Sequence, residues 1–236
     1  MEFIIFDLDN TLYHPGSGVM EEIGRRIQVW LCRTLDITWE EASVLRHEYL
    51  RQHGTTMGGL MADHAVDISD YLAFVHDIPI GEYLGPNGAL REMLERMPLR
   101  KAVYTNATSG HARRVLRAVG IRDAFEQIVG IEEVGLHNKF NRQAYERMLG
   151  LLNVEGEACV MVEDSPRNLP PAKAVGMTTI LVDGALDGSG PGETEDVVDY
   201  VVEDILAVEQ AVQQILAGGG DGLDRDGPGA RLSPGR

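Results

Sequence analysis

Short apolar, β-branched runs recur along the chain at Phe3–Phe6, 102–104, 127–131, 158–162 and Thr178–Val182. Each has the length of a strand buried on both faces, because a continuous apolar run leaves no polar face for solvent. Helix-length segments lie between most of them, at 87–96, Ser109–Val119 and 142–151. Strands alternating with helices predict an α/β fold, a doubly wound parallel sheet covered on both faces. The first connection breaks this rhythm, since the interval from Asp7 to Lys101 is far longer than one crossover helix needs.

Most of that interval reads as helical. Residues 20–35 place Ile23, Ile27, Trp30, Leu31 and Leu35 near one helical face. Asp36-Ile37-Thr38 interrupts, and Thr38 with Glu41 three residues on predicts a capping box opening a second helix through Gln52. A Gly54–Gly59 loop follows, then shorter helical pieces at 60–64 and 69–76. Residues 14–84 are therefore expected to form a small helical domain inserted into a core made of 1–13 and 85–217. Gly85-Pro86-Asn87-Gly88 marks the return to the core. Beyond Val182, residues 183–192 read as a surface loop, 197–202 as an edge strand and 203–216 as a helix. The Gly/Pro/Asp/Arg-rich stretch 218–236 reads as a disordered tail.

Ligands of an open α/β sheet bind outside the carboxyl ends of its strands, so those ends carry the candidate chemistry. The first run leads into Asp7-Leu8-Asp9-Asn10-Thr11. In extended chain, residues i and i+2 point the same way, which puts Asp7 and Asp9 on one side. Two like charges there call for a cation or a shared proton, the setting of a hard metal ion beside an aspartate nucleophile. The second run ends in Thr105-Asn106 before a helix whose N-cap is read as Ser109, and helix N-termini bind anions. The fourth ends in Glu163-Asp164-Ser165 before a helix opened by Pro166. Lys139 precedes the helix at 142–151. Singly these read equally well as solvated acids, helix caps and a surface lysine; their order at successive strand ends is the functional signal.

The net charge of −16, from 21 Lys plus Arg against 37 Asp plus Glu, disfavours nucleic-acid polymers and anionic membranes as partners. A phosphate would need a local cation, a metal or a placed lysine. No apolar run reaches the ~18 residues of a membrane span. The amino terminus enters a strand without a basic leader, so a cytoplasmic location is the expectation. Cys32 and Cys159 sit apart in apolar patterns and read as packing residues. His14, His47, His64, His111 and His137 show no paired ligand spacing and are assigned no role.

With these motifs in place, the chain resembles the haloacid dehalogenase-like hydrolase superfamily. The resemblance rests on Asp7-Leu8-Asp9-Asn10-Thr11, Thr105-Asn106, Lys139 and Glu163-Asp164-Ser165-Pro166-Arg167-Asn168, and runs from Met1 to about Leu216. It implies a Rossmann-like core with a C1-type helical cap. Phe140 departs from the proline that many relatives carry after the lysine. Within the superfamily, Arg51-Gln52-His53-Gly54-Thr55-Thr56-Met57-Gly58-Gly59-Leu60, Asp70-Tyr71-Leu72-Ala73-Phe74-Val75-His76-Asp77 and Tyr104-Thr105-Asn106-Ala107 are similar to the pyrimidine 5′-nucleotidase group. The plain alternative is that the first phrase is a helix-joining loop and His76 a satisfied helix histidine.

The resemblance implies that Asp7 attacks phosphorus and that Asp9 transfers protons. Mg²⁺ would be held by Asp7, Asp164 and the backbone carbonyl of Asp9, with Glu163 supporting the ligands. Thr105 and the N–H of Asn106 would hold phosphate oxygens, and Lys139 would offset charge at Asp7. The expected function is hydrolysis of a small phosphomonoester, a pyrimidine nucleoside 5′-monophosphate first. A phosphomutase, a sugar-phosphate phosphatase and a non-catalytic phospho-ligand domain stand as alternatives.

Overall fold

The structure, a computed structural model, describes residues 1–182, 196–218 and, for the backbone, 230–232. Strand β1 (Phe3–Phe6) runs into an insertion of α1 (Val19–Leu35), α2 (Trp39–His53), α3 (Thr56–Asp63) and α4 (Ile68–His76). The core resumes with α5 (Gly88–Arg96), β2 (Arg100–Tyr104), α6 (Ser109–Val119), β3 (Gln127–Val129), α7 (Arg142–Leu152) and β4 (Cys159–Glu163). It closes with α8 (Leu169–Ala174), β5 (Thr178–Val182), β6 (Tyr200–Val202), α9 (Val208–Gly218) and β7 (Ala230–Leu232).

All strand pairings among the described residues are parallel, in the order β3-β2-β1-β4-β5-β6-β7. The fold is thus the expected doubly wound α/β sheet. Alternation within β1 explains its unbroken hydrophobicity: Ile4 and Phe6 join the core on one face, Phe3 and Ile5 the core on the other. Leu90 of α5, Val115 of α6 and Ala211 of α9 cover the first face. Tyr145 of α7 and Leu169 and Ala172 of α8 cover the second, and Trp30, Leu31 and Tyr49 from the inserted helices belong to the same buried cluster. Cys159 is fully buried and both cysteines are free. Among the described residues, no helix is long and apolar enough to cross a membrane.

In the inserted helices, α1 packs against α4 and α2 against α3. Asp36 ends α1 in the left-handed conformation, and the Thr38–Glu41 capping box opens α2. The stretch read as a Gly54–Gly59 loop differs: α3 already starts at Thr56, capped by the Thr55 side chain. Two glycines there oppose helix by propensity. Packing overrides it, because a Cβ at Gly59 would lie 2.1 Å from the Tyr49 ring, so only glycine lets α3 approach α2 this closely.

Other boundaries shift as well. Strand β3 stops at Val129, where the Gly130 N–H is taken by the Glu133 side chain at 2.8 Å instead of by a neighbouring strand. The N-cap of α6 is Thr108 rather than Ser109, whose N–H and hydroxyl both bond Glu132. Within the segment read as a disordered tail, Ala230–Leu232 pairs with β6. Gly218 ends α9, while the expected loop at 183–192 and residues 219–229 and 233–236 of that tail lie outside the described residues.

Candidate active site

Strand β1 lies between β2 and β4, with Phe6 in register with both Val103 and Val162. The order of connections reverses at β1, so the loops after β1, β2 and β4 open onto one crevice. The Asp7 N–H bonds Val162 O at 2.8 Å, continuing the pairing one residue past the strand. Asn10 then takes φ +65°, a left-handed value that asparagine tolerates. Asp7 and Asp9 lie close enough for each charge to act on the other, but their carboxylates are held by different partners.

Asp7 is buried and receives a hydrogen bond from the Lys139 ammonium. Lys139, itself fully buried, also donates to Glu163 Oε2 at 2.8 Å. The loop before α7 is anchored to bring it there: the Lys139 N–H donates to Asn106 Oδ1 at 2.9 Å, and Asn138 donates to His53 O at 2.7 Å. Phe140, the departure from proline, lies over Gly54, where a Cβ would come within 2.5 Å of the ring. Glu163 accepts further bonds from the Ser165 N–H at 3.2 Å and Asn168 Nδ2 at 3.1 Å. The Thr11 hydroxyl lies between Asp7 Oδ2 at 3.4 Å and Asp164 Oδ1 at 3.2 Å. Thr105 is buried, and its hydroxyl accepts from the Ala107 N–H at 3.0 Å.

Asp7, Glu163 and Asp164 each offer an oxygen within 4.8 Å of one another. Burial, then Glu163, pushes the Asp7 carboxyl up to about 7 against the pull of Lys139. Burial, then Glu163 and Asp7, pushes Asp164 up to about 9. Burial works against the Lys139 charge too, but Asp7 and Glu163 hold it above the usual lysine value. One ammonium thus faces three carboxylates, and a divalent cation would balance the remainder. Hard oxygen donors of this kind fit Mg²⁺. Glu163 is engaged by three donors, so Asp7 and Asp164 are the side chains that could face the ion.

Asp9 is arranged differently. It accepts from Tyr13 Oη at 2.7 Å, and His111 Nε2 lies 3.4 Å from the same oxygen. Burial alone would raise its carboxyl, but these bonds, that of His111 first, hold it below the usual range. His111 therefore meets a site carboxylate despite being assigned no role from the sequence. Its ring lies 4.7 Å from that of His76 of α4, tilted by 31°, and both rings are buried. Burial pushes His76 down to about 3. No spacing signal joins His111 to a residue so distant in sequence. Thr11 and Asn168, by contrast, lay inside quoted motifs.

Between the inserted helices and the core lies a cavity of about 250 Å³. Asp9, Asn106 and Ala107 form its core side, and Arg46, Thr56, Tyr71 and His76 line the opposite wall.

Residues 1–176 match the haloacid dehalogenase-like hydrolase family. Phosphate metabolism protein 8 of Saccharomyces cerevisiae is 30% identical over 132 residues, covering 52% of this chain and 41% of that protein. Phosphoglycolate phosphatase of Rhodospirillum rubrum is 27% identical over 189 residues, covering 76% of this chain and 78% of that protein. A haloacid dehalogenase-like family hydrolase of Streptococcus pneumoniae superposes with a TM-score of 0.60 at 17% identity, over 90% of this chain and 99% of that one. The family match spans most of the chain, and the chain belongs to the haloacid dehalogenase-like hydrolase family.

Proposed function

We propose that this protein is a phosphatase that cleaves a small phosphomonoester through an aspartyl-phosphate, with a pyrimidine nucleoside 5′-monophosphate as its substrate. The carrying observation is the Lys139 ammonium between Asp7 and Glu163, with Asp164 beside them at the β1/β4 crevice. An Asp7 oxygen forms the bond to phosphorus as the bond from phosphorus to the leaving oxygen breaks. Lys139 favours the ionised form of Asp7 against the burial that raises it, and aims the carboxylate. Thr105 and the Asn106 N–H hold phosphate oxygens. A Mg²⁺ held by Asp7, Asp164 and the Asp9 carbonyl would supply positive charge to the phosphate oxygens.

Asp9 gives the leaving oxygen its proton, then takes one from the water that cleaves the aspartyl-phosphate. The Tyr13 and His111 bonds hold Asp9 in the ionised form that the second step uses. An anionic phosphate arriving beside it raises its carboxyl and loads it for the first.

The finer substrate reading is supported by where the quoted phrases lie. Gly54, Thr55, Thr56 and Met57 from one, and Tyr71, Leu72, Val75 and His76 from the other, line the cavity facing Asp9. The test is phosphate release from UMP, CMP, dTMP, AMP, GMP and sugar phosphates with Mg²⁺, by wild type and by Asp7→Asn. The expected result is preference for the pyrimidine nucleotides and no turnover by the variant. Preference for sugar phosphates would overturn the substrate, and near wild-type turnover by Asp7→Asn would overturn the mechanism.

A further inference from the structure

Arg46 projects from α2 into the wall of the cavity between the inserted helices and the core. Its Nε is buried without a hydrogen-bond partner, and among the described residues the guanidinium makes no ion pair. Burial lowers its pKa, with only Tyr71 acting in the other direction. A half-buried cation without a counter-charge is partly desolvated, at a cost in free energy that an apolar side chain of the same length would not carry.

A second feature sets its position. Gly24 lies in the interior of α1, where glycine is the poorest ordinary helix former but proline. A Cβ there would lie 2.7 Å from Arg46 Nη2 and 2.9 Å from Nη1, so the guanidinium rests flat against the glycine backbone. The surrounding wall is apolar, from Met20, Ile23, Ile27, Leu50, Met57 and Val75, while Asp9 lines the same space. A substrate with its ester oxygen at Asp9 therefore extends its leaving group across apolar surface toward one unpaired fork of donors.

We propose that Arg46 is the specificity-determining residue of this cavity, donating to a carbonyl or carboxylate oxygen at the end of the leaving group remote from the phosphate. The proposal rests on the phosphatase reading. Guanidinium presents paired N–H groups that match such oxygens, and a partner found only in the substrate explains why the protein supplies none. The pyrimidine ring offers the carbonyl form of this acceptor, and a phosphorylated carboxylic acid offers the carboxylate form.

The experiment compares wild type, Arg46→Met and Gly24→Ala on three substrates with Mg²⁺: UMP, phosphoglycolate and phenyl phosphate, which has no acceptor at its far end. The better of the first two in wild type identifies the acceptor. On that substrate both variants are expected to lose about ten- to hundred-fold in kcat/KM, the worth of a charge-assisted hydrogen bond. Turnover of phenyl phosphate should stay within about two-fold, and Arg46→Met should melt no lower than wild type because it removes a half-buried charge whose Nε has no partner. Equal losses on all three substrates would overturn the proposal by placing Arg46 at the phosphoryl group or in the fold. Unchanged turnover of both UMP and phosphoglycolate would overturn it as well. Wild type inactive on all three would instead sink the phosphatase reading, and this proposal with it.

Discussion

Replacing Lys139 by methionine isolates the electrostatic core of the site. The side chain is fully buried and bonds both Asp7 and Glu163, so the change keeps volume and removes the ammonium facing three carboxylates. Breaking a buried ion pair by deleting one partner costs about 3–5 kcal/mol. In a chain of this size each kcal/mol moves Tm by about 2–4 °C, so a drop of roughly 6–20 °C is expected. The drop should depend on pH in a defined direction. Asp7 is already raised to about 7 with the lysine present, and its removal lifts Asp7 further. A carboxyl raised in the folded state contributes stability that is intact below its unfolded value, near 4, and is lost as pH rises through the folded value. Scanning calorimetry of both proteins in EDTA at pH 5 and pH 8 should therefore find the larger deficit at pH 8. An equal deficit at the two pH values, or none at pH 8, would refute the electrostatic account.

Three further outcomes follow from other parts of the molecule. Wild type stripped with EDTA should lose Tm as pH rises from about 4 through the raised values of about 7 for Asp7 and about 9 for Asp164, and Mg²⁺ at pH 8 should restore it. A metal-independent Tm at pH 8 would remove Asp7 and Asp164 as ligands. His76, held down to about 3 by burial and then by His111, must charge on unfolding, so it costs stability as pH falls from about 6.5 toward 3. His76→Phe should accordingly melt higher than wild type at pH 5 and close to it at pH 8. Thr38→Ala removes the capping box at the start of α2 and should cost about 1 kcal/mol by denaturant unfolding, with kcat unchanged.

Legibility in the sequence followed the range of the interactions. Strand β1 was readable because Phe3–Phe6 is apolar at every position, and its neighbours repeat the pattern. The capping box at Thr38 was readable because both partners lie within four residues. The start of α3 was not, because local propensity argues against a helix through Gly58 and Gly59 and the decisive contact is with Tyr49 on another helix. The cap of α6 lies one residue before its expected place because Thr108 and Ser109 are both good cap types, and Glu132 from a later loop claims the serine. His111 and Arg46 carried no signal, since what distinguishes each is a neighbour, or its absence, across the cavity.

The sequence by itself determined which elements form and which of their ends carry carboxylates, a hydroxyl and a lysine, because periodicity and turn chemistry act over a few residues. Only the tertiary structure decided that Lys139 lies between Asp7 and Glu163 while Asp9 turns to Tyr13 and His111. The reason is the strand order: with β1 between β2 and β4, loops more than a hundred residues apart in the chain share one low-dielectric crevice. There the pairing of charges depends on ångström-scale approach, which no local pattern encodes.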